Sequence, residues 1–166
     1  MKIKIFSTIA LMAMFFGIGC ATTSTTYVRK PVSAAALSTV REMTDAEAFA
    51  TVRSPLEQCG QEIARQTEGQ YGGSAQFALD KLNCEGFIGS ITVSKFQGMN
   101  LTASLPMSTR FADVTELVLK QTGNGKTVAV VLAKEGKELW ELPVAGTIEG
   151  ERLISALSHL CPNLKR

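Results

Sequence analysis

Histidine is almost missing from this chain. His159 is the only one among 166 residues, and Trp140 is the only tryptophan. His159 lies two residues before Cys161, and positions two apart on a helix do not face each other, so the pair does not make a Cys-His nucleophile. No C-x-x-C occurs, which argues against thioredoxin-like exchange. No cluster of histidine, cysteine and carboxylate has metal-ligand spacing, so neither a metal nor another cofactor is expected. Gly72-Gly73-Ser74 lacks the lysine and remaining glycines of a phosphate loop and reads as a turn followed by a helix cap. No paired carboxylates stand out as an acid–base couple; Glu138 and Glu141, flanking Trp140, read as rim residues of a strand. No apolar run reaches the roughly 20 residues that span a bilayer.

What is present begins at the amino terminus. Lys2 and Lys4 precede an apolar run, Ile5–Ile18, that closes on the small residues of Gly17–Cys20. A charged start, a short apolar middle and small residues at the cut make a secretory signal. Loss of residues 1–19 takes the 17 basic residues down to 15, equal to the 15 Asp and Glu. The remaining chain is therefore near neutral and lacks the basic excess of a general nucleic-acid binder.

Phe16–Cys20 resembles the lipobox of bacterial lipoproteins, with Ile18, Gly19 and Cys20 matching the pattern. The resemblance covers only the signal region. It implies cleavage before Cys20, acylation of Cys20 and, with Ala21 rather than aspartate following, sorting to the outer membrane on its periplasmic side. Two or more acyl chains hold a protein stably on a bilayer. An ordinary cut after Ala21 is the competing reading, because Gly19 and Ala21 are both small. The division expected is a signal over 1–19, a lipidated start and flexible tether over 20–43, and one domain over 44–166.

Within that domain, Thr44-Asp-Ala-Glu47 has capping-box spacing, and Ser54-Pro55-Leu56-Glu57 reads as a second helix start with proline at the first helical position. Leu56, Cys59 and Ile63 share a face, and Gly69 is expected to end that helix. Ser74 then caps a short helix carrying Phe77, Ala78 and Leu82. Period-two alternation begins at Phe87. Phe87, Ile91 and Val93 oppose Ser90, Thr92 and Ser94, and Met99, Leu101, Ala103 and Leu105 oppose Asn100, Thr102 and Ser104. A three-residue loop, Phe96-Gln97-Gly98, would pair Val93 with Leu101 and Thr92 with Thr102. Asn124-Gly125 marks a two-residue hairpin that sets Leu119 against Val130 and Leu117 against Leu132. Lys134-Glu135-Gly136 reads as another three-residue loop, bringing Val130 to Trp140 and Val128 to Leu142. Ala129, Val131 and Val118 fall on the opposite face, so the middle strands are expected to be covered on both sides. Glu151–Leu160 is an amphipathic helix that buries Leu153, Ala156, Leu157 and Leu160. The sum is an α+β fold with one antiparallel sheet of about five strands and helices on one face.

With Cys20 lipidated, three cysteines remain in an oxidising compartment. If residues 55–68 and 75–83 make a helical hairpin, Cys59 and Cys84 lie level across its turn and form the favoured bridge; Cys84–Cys161 is the alternative. For binding, the uncharged hydroxyl face carrying Thr92 and Thr102, with Phe96 at its tip, is the candidate surface for another strand or a polar polymer. A solvent-facing sheet explains the same pattern. The function these features favour is a non-enzymatic binding or assembly module for another cell-envelope component, most simply a protein, with the membrane as its second partner. The other reading is a carrier or sensor of a small apolar or glycan ligand, held in a cavity lined by Phe87, Leu101 and Trp140.

Overall fold

The computed structural model describes residues 25–96 and 99–164, without the side chains at 71, 95, 96 and 99–101. Residues 1–24, with the expected signal and Cys20, lie outside the described residues. Ten elements and one 3-10 turn follow in order: β1 (Tyr27–Pro31), α1 (Ala34–Ser38), α2 (Asp45–Tyr71), β2 (Ser74–Asn83), β3 (Gly86–Phe96), β4 (Met99–Arg110), the turn Phe111–Asp113, β5 (Glu116–Thr122), β6 (Thr127–Lys134), β7 (Lys137–Pro143) and α3 (Thr147–Leu160). The fold is α+β, but its strands form two antiparallel sheets rather than one of about five. The orders are β1-β5-β6-β7 and β2-β3-β4.

One long helix serves both sheets. The α2 helix opens with the expected capping box: the Thr44 hydroxyl accepts from Glu47 N–H at 3.3 Å, and Glu47 Oε2 accepts from Thr44 N–H at 3.0 Å. It then runs for 27 residues, about 40 Å at 1.5 Å per residue, straight through Pro55. The second start at Ser54-Pro55 is therefore corrected. Proline removes one helical donor, but Ala48, Val52, Leu56 and Cys59 form a buried stripe that continues across it, and that burial outweighs the local break signal. The helix ends three residues beyond Gly69, at Gly72, whose φ of 67° gives the left-handed cap; its N–H donates to Glu68 O at 2.9 Å.

Residues 75–83 are a strand, not the short helix expected. Ala75 and Phe77 are buried with Ala64 of α2, while Gln76 and Ala78 are exposed, so period two wins over the Ser74 cap signal. Phe77 is the reason α2 can lie close to this sheet. A methyl group added at Gly60 of α2 or at Gly89 of β3 would run into its ring, so the two glycines make the slot that Phe77 fills.

The chain start differs too. Tyr27–Pro31, expected within the tether, pairs antiparallel with β5 from Tyr27↔Thr122 to Pro31↔Val118, and Val32 N–H donates to Leu117 O at 2.8 Å. Farther on, Leu37 of α1 is buried in the core. The folded domain thus begins near residue 27, because a five-residue segment with no apolar periodicity can still add backbone hydrogen bonds to a sheet edge.

The main core lies between the four-stranded sheet and the α2–α3 layer, and the two sheets meet there. The Phe87 ring packs edge-on to Trp140 with centroids 4.8 Å apart, Phe111 lies 6.5 Å away, and Trp140 Nε1 donates to Thr109 Oγ1 at 2.8 Å. The α3 helix buries Leu153, Ala156, Leu157 and Leu160 as expected. It starts four residues earlier than read.

Candidate functional site

The three-stranded sheet separates its side chains by face. Ala75, Phe77, Phe87, Ile91 and Val93 are buried on the α2 side. On the other face, register places Gln76 beside Thr92 and Thr92 beside Ser104, with Ser74 beside Ser94 and Ser94 beside Thr102. Thr92, Thr102 and Ser104 are exposed, Ser90 and Ser94 half-buried, and the Ser74 and Ser94 hydroxyls share a hydrogen bond. The wet face thus holds the expected hydroxyls. The expected pairing of Thr92 with Thr102 is corrected: they are diagonal neighbours, as Val93 pairs with Ala103 and not Leu101. The backbone of Phe96 pairs with Met99, and the reading of its side chain as a tip contact lies outside the described residues. Gln76 was missed because its strand was read as a helix; the alternation of Ser74, Gln76 and Ala78 against Ala75, Phe77 and Leu79 carried the signal.

The edges of the sheets differ more than their faces. A sheet edge exposes unpaired N–H and C=O groups, and charges on an edge strand discourage pairing with another chain. Among the described residues the four edge strands are β1, β7, β2 and β4. Charges sit on β1 at Arg29 and Lys30, on β7 at Lys137, Glu138 and Glu141, and on β2 at Asp80 and Lys81. From Met99 to Thr109, β4 has none. Its Pro106 pairs across from Ser90. Proline has no donor and is tolerated in a strand where its nitrogen faces away from the ladder, so the N–H groups of Ser104 and Thr102, at the same parity, face the free edge.

The four-stranded sheet handles its outer face differently. Its inner strand β6 has Ala129, Val131 and Ala133 buried on the side away from the helices. Lys120 Nζ meets Glu141 Oε1 at 2.6 Å across this strand, Arg29 reaches Glu138 and Glu141, and Lys120 lies 4.7 Å from the centroid of the Tyr27 ring. Glu138 and Glu141 are thus ion-paired over a small apolar floor.

His159, Asp113 and Glu47 have structural partners, whereas the buried Ser158 hydroxyl has none among the described residues. His159 Nε2 lies 2.7 Å from Asp45 Oδ1, tying the last turn of α3 to the first turn of α2, while Ser155, one turn back, donates its hydroxyl to Glu151 O at 3.0 Å. Asp113 is held below the usual carboxylate range by hydrogen bonds from Lys134 and then Arg110. Glu47 is held down likewise by the Thr44 backbone N–H and hydroxyl. Among the described residues no three His, Cys, Asp or Glu lie together as a metal site, and no helix is long and apolar enough to cross a membrane.

Cys59, Cys84 and Cys161 are free thiols. The Cys59–Cys84 bridge rested on a helical hairpin that is instead a helix and a strand, which removes its geometric basis. Cys84 is exposed in the β2–β3 turn, whereas burial pushes the Cys59 thiol up to about 11 and the Cys161 thiol up to about 12. Of the residues expected to line a cavity, Phe87 and Trp140 are buried and pack ring against ring, while the side chain of Leu101 lies outside the described residues. A shallow groove lies elsewhere, between α2, β2 and the end of β7, but its Gln61 Nε2 donates to Phe77 O at 2.9 Å and its Arg65 pairs with Glu62 at 3.0 Å.

Comparison of this chain with models of protein families, with curated proteins and with solved structures finds no match.

Proposed function

We propose that this protein is an outer-membrane lipoprotein, exported by residues 1–19, acylated on Cys20 and facing the periplasm, that works without catalysis as a docking module for another envelope protein. The observation that carries the docking half is the uncharged β4 edge beside three protected ones. An extended segment of the partner adds to β4 through main-chain hydrogen bonds, and Thr92, Thr102, Ser104 and Gln76 on the adjoining face select among sequences by their hydroxyl and amide groups. The packed Phe87–Trp140 junction favours this reading over the carrier of a small ligand.

Two experiments test the halves separately. Cys20→Ser should leave the protein uncleaved or released from the membrane fraction; a matured variant that stays membrane-bound would remove the lipid anchor. A photo-crosslinking residue at Thr102 should capture one discrete envelope protein in cells, while the same residue at Lys137 on β7 should not. Equal labelling of many proteins from both positions would refute a specific edge.

A further inference from the structure

The segment that leads from the anchor into the fold is short. Only six residues lie between Cys20 and Tyr27. Whatever path they take, the seven residue-to-residue steps span at most about 25 Å. Given the acylated Cys20 proposed above, on which this step rests, the point where β1 joins the sheet cannot leave the bilayer surface by more than that.

Most of the exposed large apolar side chains lie at the same end, Ile88 and Leu105 of the three-stranded sheet being the exceptions. Five large hydrophobic residues are exposed among the described residues, and three are Tyr27 (49%), Val28 (40%) and Ile148 (81%). Tyr27 pairs with Thr122 at the mouth of the β5–β6 hairpin, and Thr122 N–H donates to Lys126 O at 2.9 Å. On the other side of that hairpin, a methyl group at Gly146 would sit 3.5 Å from Lys126 Cε, so the hairpin abuts the start of α3, where Ile148 projects. Lys126 and Lys30 are exposed, and among the described residues neither has an ion-pair partner. Lys126 and Lys30 thus supply unpaired positive charge here, while Glu149 in the first turn of α3 is engaged by the Ala145 N–H and Glu141 by Lys120.

We infer that this end of the four-stranded sheet, made by Tyr27, Val28, Lys126 and Ile148, rests in the headgroup layer of the bilayer that holds the anchor. Tyrosine is suited to the interface because its ring is apolar and its hydroxyl wet, an exposed isoleucine gains by leaving water, and lysines meet anionic headgroups. The lipid thus sets the orientation of the domain as well as its address.

The full lipidated protein in vesicles of phosphatidylethanolamine with a minority of phosphatidylglycerol tests this. An environment-sensitive fluorophore is placed at Ile148→Cys, or at Lys137→Cys near the opposite end of the same sheet, each with Cys84→Ser. The label at position 148 should be quenched several-fold more strongly by headgroup spin labels than the label at 137, and should be shielded from aqueous iodide. Vesicle flotation with equal quenching at the two positions would overturn the orientation and leave the anchor standing. A lipid-free protein that stays behind when the vesicles float would overturn the anchor, and the orientation with it.

Discussion

Both sheets pack one side toward the helices, fully in the four-stranded sheet and only over β2 and β3 in the three-stranded one, where Ala103 and Leu105 of β4 stay exposed; their other sides are treated in opposite ways. In the four-stranded sheet, Val131 on the side away from the helices has no exposed surface, closed over by Arg29, Lys120, Glu138 and Glu141. In the three-stranded sheet, Thr92 on the corresponding side is open to solvent and its neighbours are hydroxyls and an amide. The difference separates a scaffold, finished on both faces and charged on both edges, from a surface held out by α2 and finished on one face only.

Stability measurements by urea denaturation should reproduce that split. Val131→Asp places a charge in a site with no room for water and should cost about 3 kcal/mol or more, whereas Thr92→Asp should fall within about 0.5 kcal/mol of the parent. Similar losses in both variants would erase the distinction. Gly60→Ala comes next. Its methyl meets the Phe77 ring, and overpacking of this kind costs roughly 1–3 kcal/mol; a neutral result would mean that the helix and the three-stranded sheet are not tightly locked.

Thr44→Ala should cost about 1 kcal/mol at neutral pH through the lost cap. Half of that box needs an ionised Glu47, whose pKa is depressed in the fold. A depressed carboxylate contributes above the unfolded-chain range and loses its contribution as pH falls through the folded value. The Thr44→Ala penalty should accordingly shrink on acidification below the ordinary glutamate range, and a penalty that grows there would contradict the capping geometry. The smallest effect is chemical: with intact protein at mildly alkaline pH, maleimide should modify Cys84 quickly and reach Cys59 and Cys161 only on unfolding. Fast modification of all three would contradict the burial described, and a disulfide-linked peptide containing Cys84 would restore a bridge.

Much of this architecture was legible in the residues. The Thr44–Glu47 box, the wet and dry faces of β3, the α3 stripe and the Leu119↔Val130 and Leu117↔Leu132 pairs all follow from local chemistry, whereas Ala103 and Leu105, expected on a dry face of β4, are exposed. The loop between β5 and β6, expected to have two residues, is corrected all the same: Thr122 N–H donates to Lys126 O, so it has three residues, 123–125, and a register shift between Lys120 and Gln121 absorbs the difference. The other two hairpins show again why register is harder. Three-residue loops were expected because parity forbids a two-residue turn in a regular ladder that keeps its faces aligned. At Glu135-Gly136, both with positive φ, the turn has two residues, and a bulge between Leu132 and Ala133 restores the parity, so Leu132 meets Trp140 and Val130 meets Leu142. A register shift between Ser94 and Phe96 does the same for β3 and β4. Bulges leave no fixed mark in a sequence. Nor do pairings of a segment with no apolar periodicity, such as β1 on β5, or a helix carried across Pro55 by distant packing. The candidate surface was half legible: its hydroxyl alternation could be read directly, but its isolation as the one uncharged edge of four needed the topology.

That edge is the part of the account most open to direct attack. Ser104→Pro deletes a donor that points away from the β3 ladder, two residues from a proline the strand already accommodates. Crosslinking from Thr102 in cells producing Ser104→Pro should lose the captured envelope protein while the melting temperature stays that of the parent. Undiminished capture by this stably folded variant would contradict strand addition at β4.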